Sequence, residues 1–175
     1  MPEKKLILSP ETIARRVREL GNAINRDYAG EPLVVVGILK GAFVFMADLV
    51  RAIELPLEID FIRVASYGNE ACSSGKFVLT KDVELSLAGK DVLLVEDIVD
   101  TGRTMACLKE RFEAHTPRSV RLCALIDKKE RREVPVNVDY AGFTVEEGFL
   151  VGYGLDYAEQ HRHYPGIYHL QLEPK

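Results

Sequence analysis

Apolar residues recur along the chain at two spacings. Ile13, Val17, Leu20 and Ile24 return every three to four positions, which lines one face of a helix. Ser9 and Pro10 stand just ahead of that stripe, where a serine accepts from free amides and a proline suits the first helical turn. Gly30 and Pro32 close the segment. "LVVVGIL", Leu33 to Leu39, is an unbroken aliphatic run rich in valine, the pattern of a strand buried on both faces. Gly41 to Ile53 predicts a second helix, and "LEIDFIRVASY", Leu57 to Tyr67, alternates as a strand does. "DVLLVED", Asp91 to Asp97, repeats the buried-strand pattern. Thr104 to Ala114 predicts a third helix and "SVRLCALID", Ser119 to Asp127, a further strand.

Strands alternate with helices, so the expected fold class is α/β, with a mostly parallel central sheet flanked by helices. "FVLTKDVEL" predicts one more strand, and "SYGNEACSSGK", Ser66 to Lys76, reads as a flexible loop from its glycine, serine and small polar residues. The tail from Val136 carries β-type sequence in "VDYAGFTV" and "FLVGYGLDY". It is expected to form a small cap at the sheet's edge. No repeat, linker or low-complexity stretch divides residues 1–175, and one domain is expected.

Composition narrows the function classes. Hydrophobic residues make up 47% and charged residues 29%, as in an ordinary globular chain. No apolar run approaches the ~20 residues that cross a bilayer. "MPEKKLILSPET" turns polar after three aliphatics, too soon for a secretory signal, so a cytoplasmic protein without a membrane partner is expected. A net charge of −4 and a pI near 5.6 disfavour nucleic acid as a partner. The basic run "DKKERRE" is interleaved with acids and predicts a solvated loop. Cys72, Cys107 and Cys123 are odd in number and form no CxxC or zinc pattern. Free thiols in a reducing compartment are expected.

The chemistry concentrates in "VLLVEDIVDTGRTM", Val92 to Met105. Ligands of an open parallel sheet bind beyond the carboxyl ends of its strands, where Glu96 and Asp97 stand. Asp100 to Thr104 then turn into a helix, presenting backbone amides and hydroxyls suited to one phosphate. Gly102 permits a conformation or close approach that a side chain would block. Carboxylates repel phosphate but accept from sugar hydroxyls or hold magnesium, so a phosphorylated sugar is implied. Neither GxxxxGK[ST] nor GxGxxG is present. The plainer alternative is that Asp100 caps the helix and the other acids are exposed strand-end charges.

This segment resembles the phosphoribosyl pyrophosphate motif of the type I phosphoribosyltransferases, and Glu-Asp followed by Asp-Thr-Gly is similar to their hypoxanthine-guanine branch. "GILKGAF", "SYGN", "LIDKK" and "GFLVGYGLDYAEQHR" follow the family's order along nearly the whole chain. The resemblance implies transfer of phosphoribose to a 6-oxopurine with Mg2+, and a fold with a cap, or hood, and a flexible lid. It implies that Asp100 is the general base or acid at purine N7, and that Asp100, Thr101, Gly102, Arg103 and Thr104 hold the 5′-phosphate. Glu96 and Asp97 would engage the ribose hydroxyls or magnesium, with Asp156 a further metal ligand. Leu39, Lys40, Gly41 and Arg162 would bind pyrophosphate, the bond before Lys40 often being cis in the family. Lys128 would donate to the exocyclic purine oxygen, Phe149 would stack on the base, and Leu150 would contact it through the backbone. Ser66 and Tyr67 would begin the lid. A homodimer or homotetramer is implied by the same analogy.

Without the family, Lys128 reads as a surface charge, Phe149 as core, and Lys40-Gly41 as an ordinary strand-to-helix turn. Lys129 and the basic run after it look solvent-facing, as do His161 and His163. Two alternatives stand beside the oxopurine enzyme: a phosphoribosyltransferase for xanthine or uracil, and a regulator that keeps the fold and binds RNA, as pyrimidine attenuation proteins do. The acidic pI weighs against the second.

Overall fold

The computed structural model describes residues 3–65 and 78–171. Its elements are β1 (Lys4–Leu8), α1 (Pro10–Tyr28), β2 (Leu33–Leu39), α2 (Phe43–Arg51), β3 (Leu57–Ala65), β4 (Val78–Lys81), β5 (Asp91–Val99), α3 (Arg103–Glu113), β6 (Ser119–Lys128), β7 (Tyr140–Val145), β8 (Leu150–Val151) and β9 (Ile167–Leu170). Ser9 caps α1 by accepting from the Thr12 amide at 3.1 Å, and Pro10 opens the helix. The second helix is shorter than its pattern predicted, because Gly41 and Ala42 remain in the turn before Phe43.

Six strands form one sheet in the order β4-β3-β2-β5-β6-β7. All neighbours are parallel except β3 and β4. The chain builds outward from β2 to β3 on one side, then returns to place β5 against the other side of β2. The C-terminal ends of β2 and β5 therefore flank a topological switch point, where open α/β sheets bind ligands.

Period-two alternation divides the buried strands between two cores. Val35, Leu93, Val95 and Leu125 pack with residues of α1 and α2, while Val34, Val36, Val92 and Leu94 pack with Leu108 and Phe112 of α3. Both faces of the sheet are thus covered, which is why β2 and β5 read as continuous aliphatic runs.

The tail divides differently from expectation. β7 joins the main sheet beside β6, tied to α1 by Arg16, whose guanidinium donates to the Ala141 and Gly142 carbonyls at 2.8 Å each. The hood is instead a separate antiparallel sheet of order β1-β9-β8. It includes an N-terminal strand that the hydrophobic pattern did not reveal. β5 also runs on past its expected end at Asp97, because Ile98 and Val99 pair with Ile126 and Asp127. The expected lid, with Ser66, Tyr67 and Cys72, lies outside the described residues.

Candidate active site

β5 delivers Asp100 to Thr104 directly onto the start of α3. The helix is capped by Gly102, at φ 84°, which has no side chain to cap it, and the Arg103 amide makes only a long contact of 3.4 Å to the Thr101 hydroxyl. A Cβ at Gly102 would stand 2.4 Å from the Val134 carbonyl oxygen. Both reasons for a glycine therefore hold, left-handed backbone and close approach. Glu96, Ile98, Asp100, Thr101, Thr104 and Met105 line a cavity of about 140 Å³ there. Asp100 does not serve as the helix cap. Its Oδ2 lies 3.4 Å from an Arg131 nitrogen, and its Oδ1 is buried with no hydrogen-bond partner among the described residues.

Glu96 and Asp97 are half-buried within the last part of β5. The Asp97 amide donates to Glu96 Oε1 and the Ile98 amide to Asp97 Oδ1, each at 2.8 Å. Burial, and then the adjacent Asp97 charge, push the Glu96 carboxyl well above the usual carboxylate range. That pair of acids suits a cation or hydroxyl donors, which would relieve the repulsion.

The β2–α2 turn faces these acids. The Leu39-Lys40 peptide bond is cis. A Cβ at Gly41 would lie 1.9 Å from Asp97 Oδ2, so only glycine fits. Lys40 Nζ pairs with Glu159 at 2.8 Å. Arg162 reaches the same acid at 3.4 Å and Asp156 at 3.2 Å, and it donates to the Gly154 carbonyl at 2.8 Å. Its Nε is buried without a partner among the described residues. Lys40 and Arg162 therefore converge on one acid, as two cations that share an anion would. Glu96, Asp97 and Asp156 do not form one cage. Among the described residues no three His, Cys, Asp or Glu side chains gather closely enough to hold a metal alone.

At the end of β6, Lys128 is 9% exposed, not the surface charge its neighbours suggested. Its ammonium donates to the Gly148 carbonyl at 3.1 Å and lies 3.8 Å from Glu130. Next along from Gly148, Phe149 is 40% exposed and Leu150 buried. Phe149 is therefore not core. Its ring meets Tyr157 edge-on at 5.4 Å between centroids, which leaves a face for a planar ligand.

Comparison with known proteins gives the family. The model of the phosphoribosyl transferase domain matches residues 5–158. The chain belongs to the phosphoribosyltransferase family. A hypoxanthine-guanine phosphoribosyltransferase of Aquifex aeolicus is 48% identical over 94% of this chain and 93% of its own length. A hypoxanthine phosphoribosyltransferase of Salmonella typhimurium is 43% identical over 92% of each. A crystal structure of a hypoxanthine-guanine phosphoribosyltransferase from Bacillus anthracis superposes with a TM-score of 0.91 at 43% identity, covering 97% of this chain and 99% of that one.

The amino-acid pattern did not reveal Glu159, and it misplaced Arg132. Glu159, which pairs both pyrophosphate candidates, carried no local signal. Arg132 is not part of a solvent-facing run, for it turns inward and donates to the Asp100 carbonyl at 2.9 Å. Lys129 and Arg131 are exposed as expected. His161 is half-buried, with Nδ1 3.0 Å from the Tyr164 hydroxyl. Cys123 is a free buried thiol, whereas Cys107 is disulfide-bonded, contrary to the expectation of free thiols.

Proposed function

We propose that residues 1–175 form a single domain that transfers the 5-phosphoribosyl group of phosphoribosyl pyrophosphate to hypoxanthine or guanine, giving IMP or GMP and pyrophosphate. The observation that carries this reading is Asp100 Oδ1, a buried acceptor without a partner among the described residues, beside the start of a helix whose N-cap is a glycine. An unmet buried acceptor is costly, and the N7 proton of an oxopurine meets the need.

The roles follow from the chemistry of each group. Amides and hydroxyls of Thr101 to Thr104, with Gly102 and Arg103, hold the 5′-phosphate. Glu96 and Asp97 accept from the ribose hydroxyls, and their negative charge favours the positive charge that develops on the ribose ring. Leu39, Lys40, Gly41 and Arg162 bind pyrophosphate, the two cations leaving Glu159 to do so. Asp100 takes the N7 proton as the base attacks. Lys128 has three donors, so it keeps Gly148 and still donates to the 6-oxo group. Phe149 stacks on the ring, and the Leu150 backbone contacts the base. Ser66 and Tyr67 are proposed as the first residues of the lid.

Magnesium is the proposed cofactor. Glu96, Asp97 and Asp156 are the carboxylates that would hold it, and substrate oxygens would complete the shell, as is usual for this ion. When bound, it supplies charge neutralisation for the pyrophosphate oxygens. The partners are small molecules and a second or further copy of the chain. Self-association is supported by an apolar groove of about 1160 Å³ between α1, α2 and the hood, at whose edge Phe43 and Tyr157 are exposed. A cytoplasmic location is proposed, and no helix among the described residues is long and apolar enough to cross a membrane. The test is incubation with phosphoribosyl pyrophosphate, Mg2+ and, separately, hypoxanthine and guanine. IMP or GMP with pyrophosphate in equal amount supports the reading, and the absence of both nucleotides refutes it.

A further inference from the structure

Asp100 and Lys128 leave neighbouring strands at almost the same level. The last β5–β6 pair is Val99 with Asp127, so no ladder pair joins Asp100 to Lys128, which is held on its other side by Val145 of β7. Arg132 occupies the gap. Its Nε donates to the Asp100 carbonyl at 2.9 Å. One terminal nitrogen donates to the Val99 carbonyl at 3.4 Å, the Lys128 carbonyl at 3.2 Å and the Asp127 carboxylate at 2.5 Å. The guanidinium side chain is 17% exposed and Asp127 9%, so the charge is largely desolvated and neutralised in place. The segment that carries Arg132 is itself fastened to the turn. The Glu133 and Val134 amides donate to the Thr101 carbonyl at 2.9 and 3.1 Å, and Glu133 pairs with Arg103.

We propose that Arg132 is a positioning residue that sets the spacing between Asp100 and Lys128. The inference rests on the phosphoribosyl-transfer reading above. O6 and N7 lie side by side on one edge of an oxopurine, so the amine that meets O6 and the carboxylate that meets N7 must hold a fixed separation. A guanidinium presents its donors in a rigid planar fork, and one such fork spans the carbonyls of both strand ends. A lysine ammonium carries its donors on one nitrogen and lacks the planar fork whose separate nitrogens reach both strand ends. Asp127 completes the device by fixing the fork's orientation. Misplacement of a reacting group by about 1 Å costs on the order of 10²-fold in rate.

The experiment compares the parent with R132Q and R132K for turnover and for the ratio of kcat/KM on hypoxanthine to that on adenine, with melting temperature measured alongside. Loss of ~10²-fold in kcat, together with a lower hypoxanthine preference, supports the positioning role. Partial recovery of R132Q turnover by ethylguanidine at low millimolar concentration supports it further. A merely structural arginine would change the melting temperature and the folded fraction but leave the base preference of folded enzyme untouched, and that result overturns the inference. R132K keeps the charge and much of the stem, and it decides the matter if R132Q does not fold. An inactive parent would defeat the reaction reading itself. An active parent with variants of parental turnover and preference defeats this inference alone.

Discussion

Gly41 and Asp97 touch so closely that a methyl group on the glycine would stand 1.9 Å from the carboxylate. The turn after β2 and the acids of β5 are thereby packed as one surface across the switch point. Substitution G41A must push one of them away. The expected result is a fall in kcat/KM for phosphoribosyl pyrophosphate of roughly 10²-fold, with the KM for the purine changed much less. Steady-state kinetics varying each substrate in turn check this.

Glu159 stands between Lys40, at 2.8 Å, and Arg162, at 3.4 Å. The Lys40 ammonium, aided by Arg162, holds its carboxyl below the usual carboxylate range. On the proposed assignment of Lys40 and Arg162 to pyrophosphate, the incoming donor displaces Glu159 from both cations. Exposed pairs are weak, so E159Q is expected to lower the KM for phosphoribosyl pyrophosphate only by roughly two- to fivefold. A raised KM in the variant, measured at fixed ionic strength, would mean that Glu159 helps hold the donor instead.

Asp100 is assigned proton transfer rather than binding. D100N keeps the shape and removes the basicity, so turnover should fall ~10²- to 10⁴-fold while donor affinity stays near the parental value. Pre-steady-state turnover and equilibrium binding of the donor separate the two quantities. Equal turnover in variant and parent takes the catalytic role away from Asp100.

Lys128 is buried beside the Gly148 carbonyl, where a donor selects an oxo group over an amino group by leaving the wrong partner unpaired. Replacement by alanine should reduce the preference for hypoxanthine over adenine by at least ~10-fold. Competition between the two bases, with both nucleotides quantified, gives the ratio directly.

Stability should depend on acid at the opposite end of the sheet. Asp91 opens β5 and is held below the usual carboxylate range first by its hydrogen bonds to Arg118 and then by Ser119, against the opposing effect of burial. A depressed carboxylate stabilises the fold above its unfolded pKa of about 3.9, and that contribution is lost as pH falls through the lower folded value. D91N should therefore melt several degrees lower at neutral pH, with the two melting curves converging in acid. Turnover per folded molecule should be unchanged, because Asp91 lies at the other end of the strand from Glu96 and Asp97.

Legibility in the sequence tracked how local each feature is. β2, β5 and β6 were readable because burial on both faces makes a continuous aliphatic run, and α1 because its stripe meets one core. β1 was not, since Lys4 to Ile7 are exposed and the strand exists through pairing with β9, Lys4 opposite Leu170. The phosphate turn could be located because strand, acids, glycine and helix start are contiguous. Glu159 joins Lys40 across 119 positions and Arg132 joins Asp100 across 32, so only the folded chain reveals their partners. In "DKKERRE" the surrounding charges made Arg132 look solvated, although an arginine with carbonyls to fill its fork can turn inward.

The central claim is transfer of phosphoribose to a 6-oxopurine, and a base panel tests it most directly. The protein is incubated with phosphoribosyl pyrophosphate and Mg2+ and, separately, with hypoxanthine, guanine, xanthine, adenine and uracil, and each nucleotide is quantified. The prediction is IMP, GMP or both, with pyrophosphate in equal amount and little or no AMP or UMP. If no base yields a nucleotide while RNA binds with a steep salt dependence, the enzyme account is contradicted.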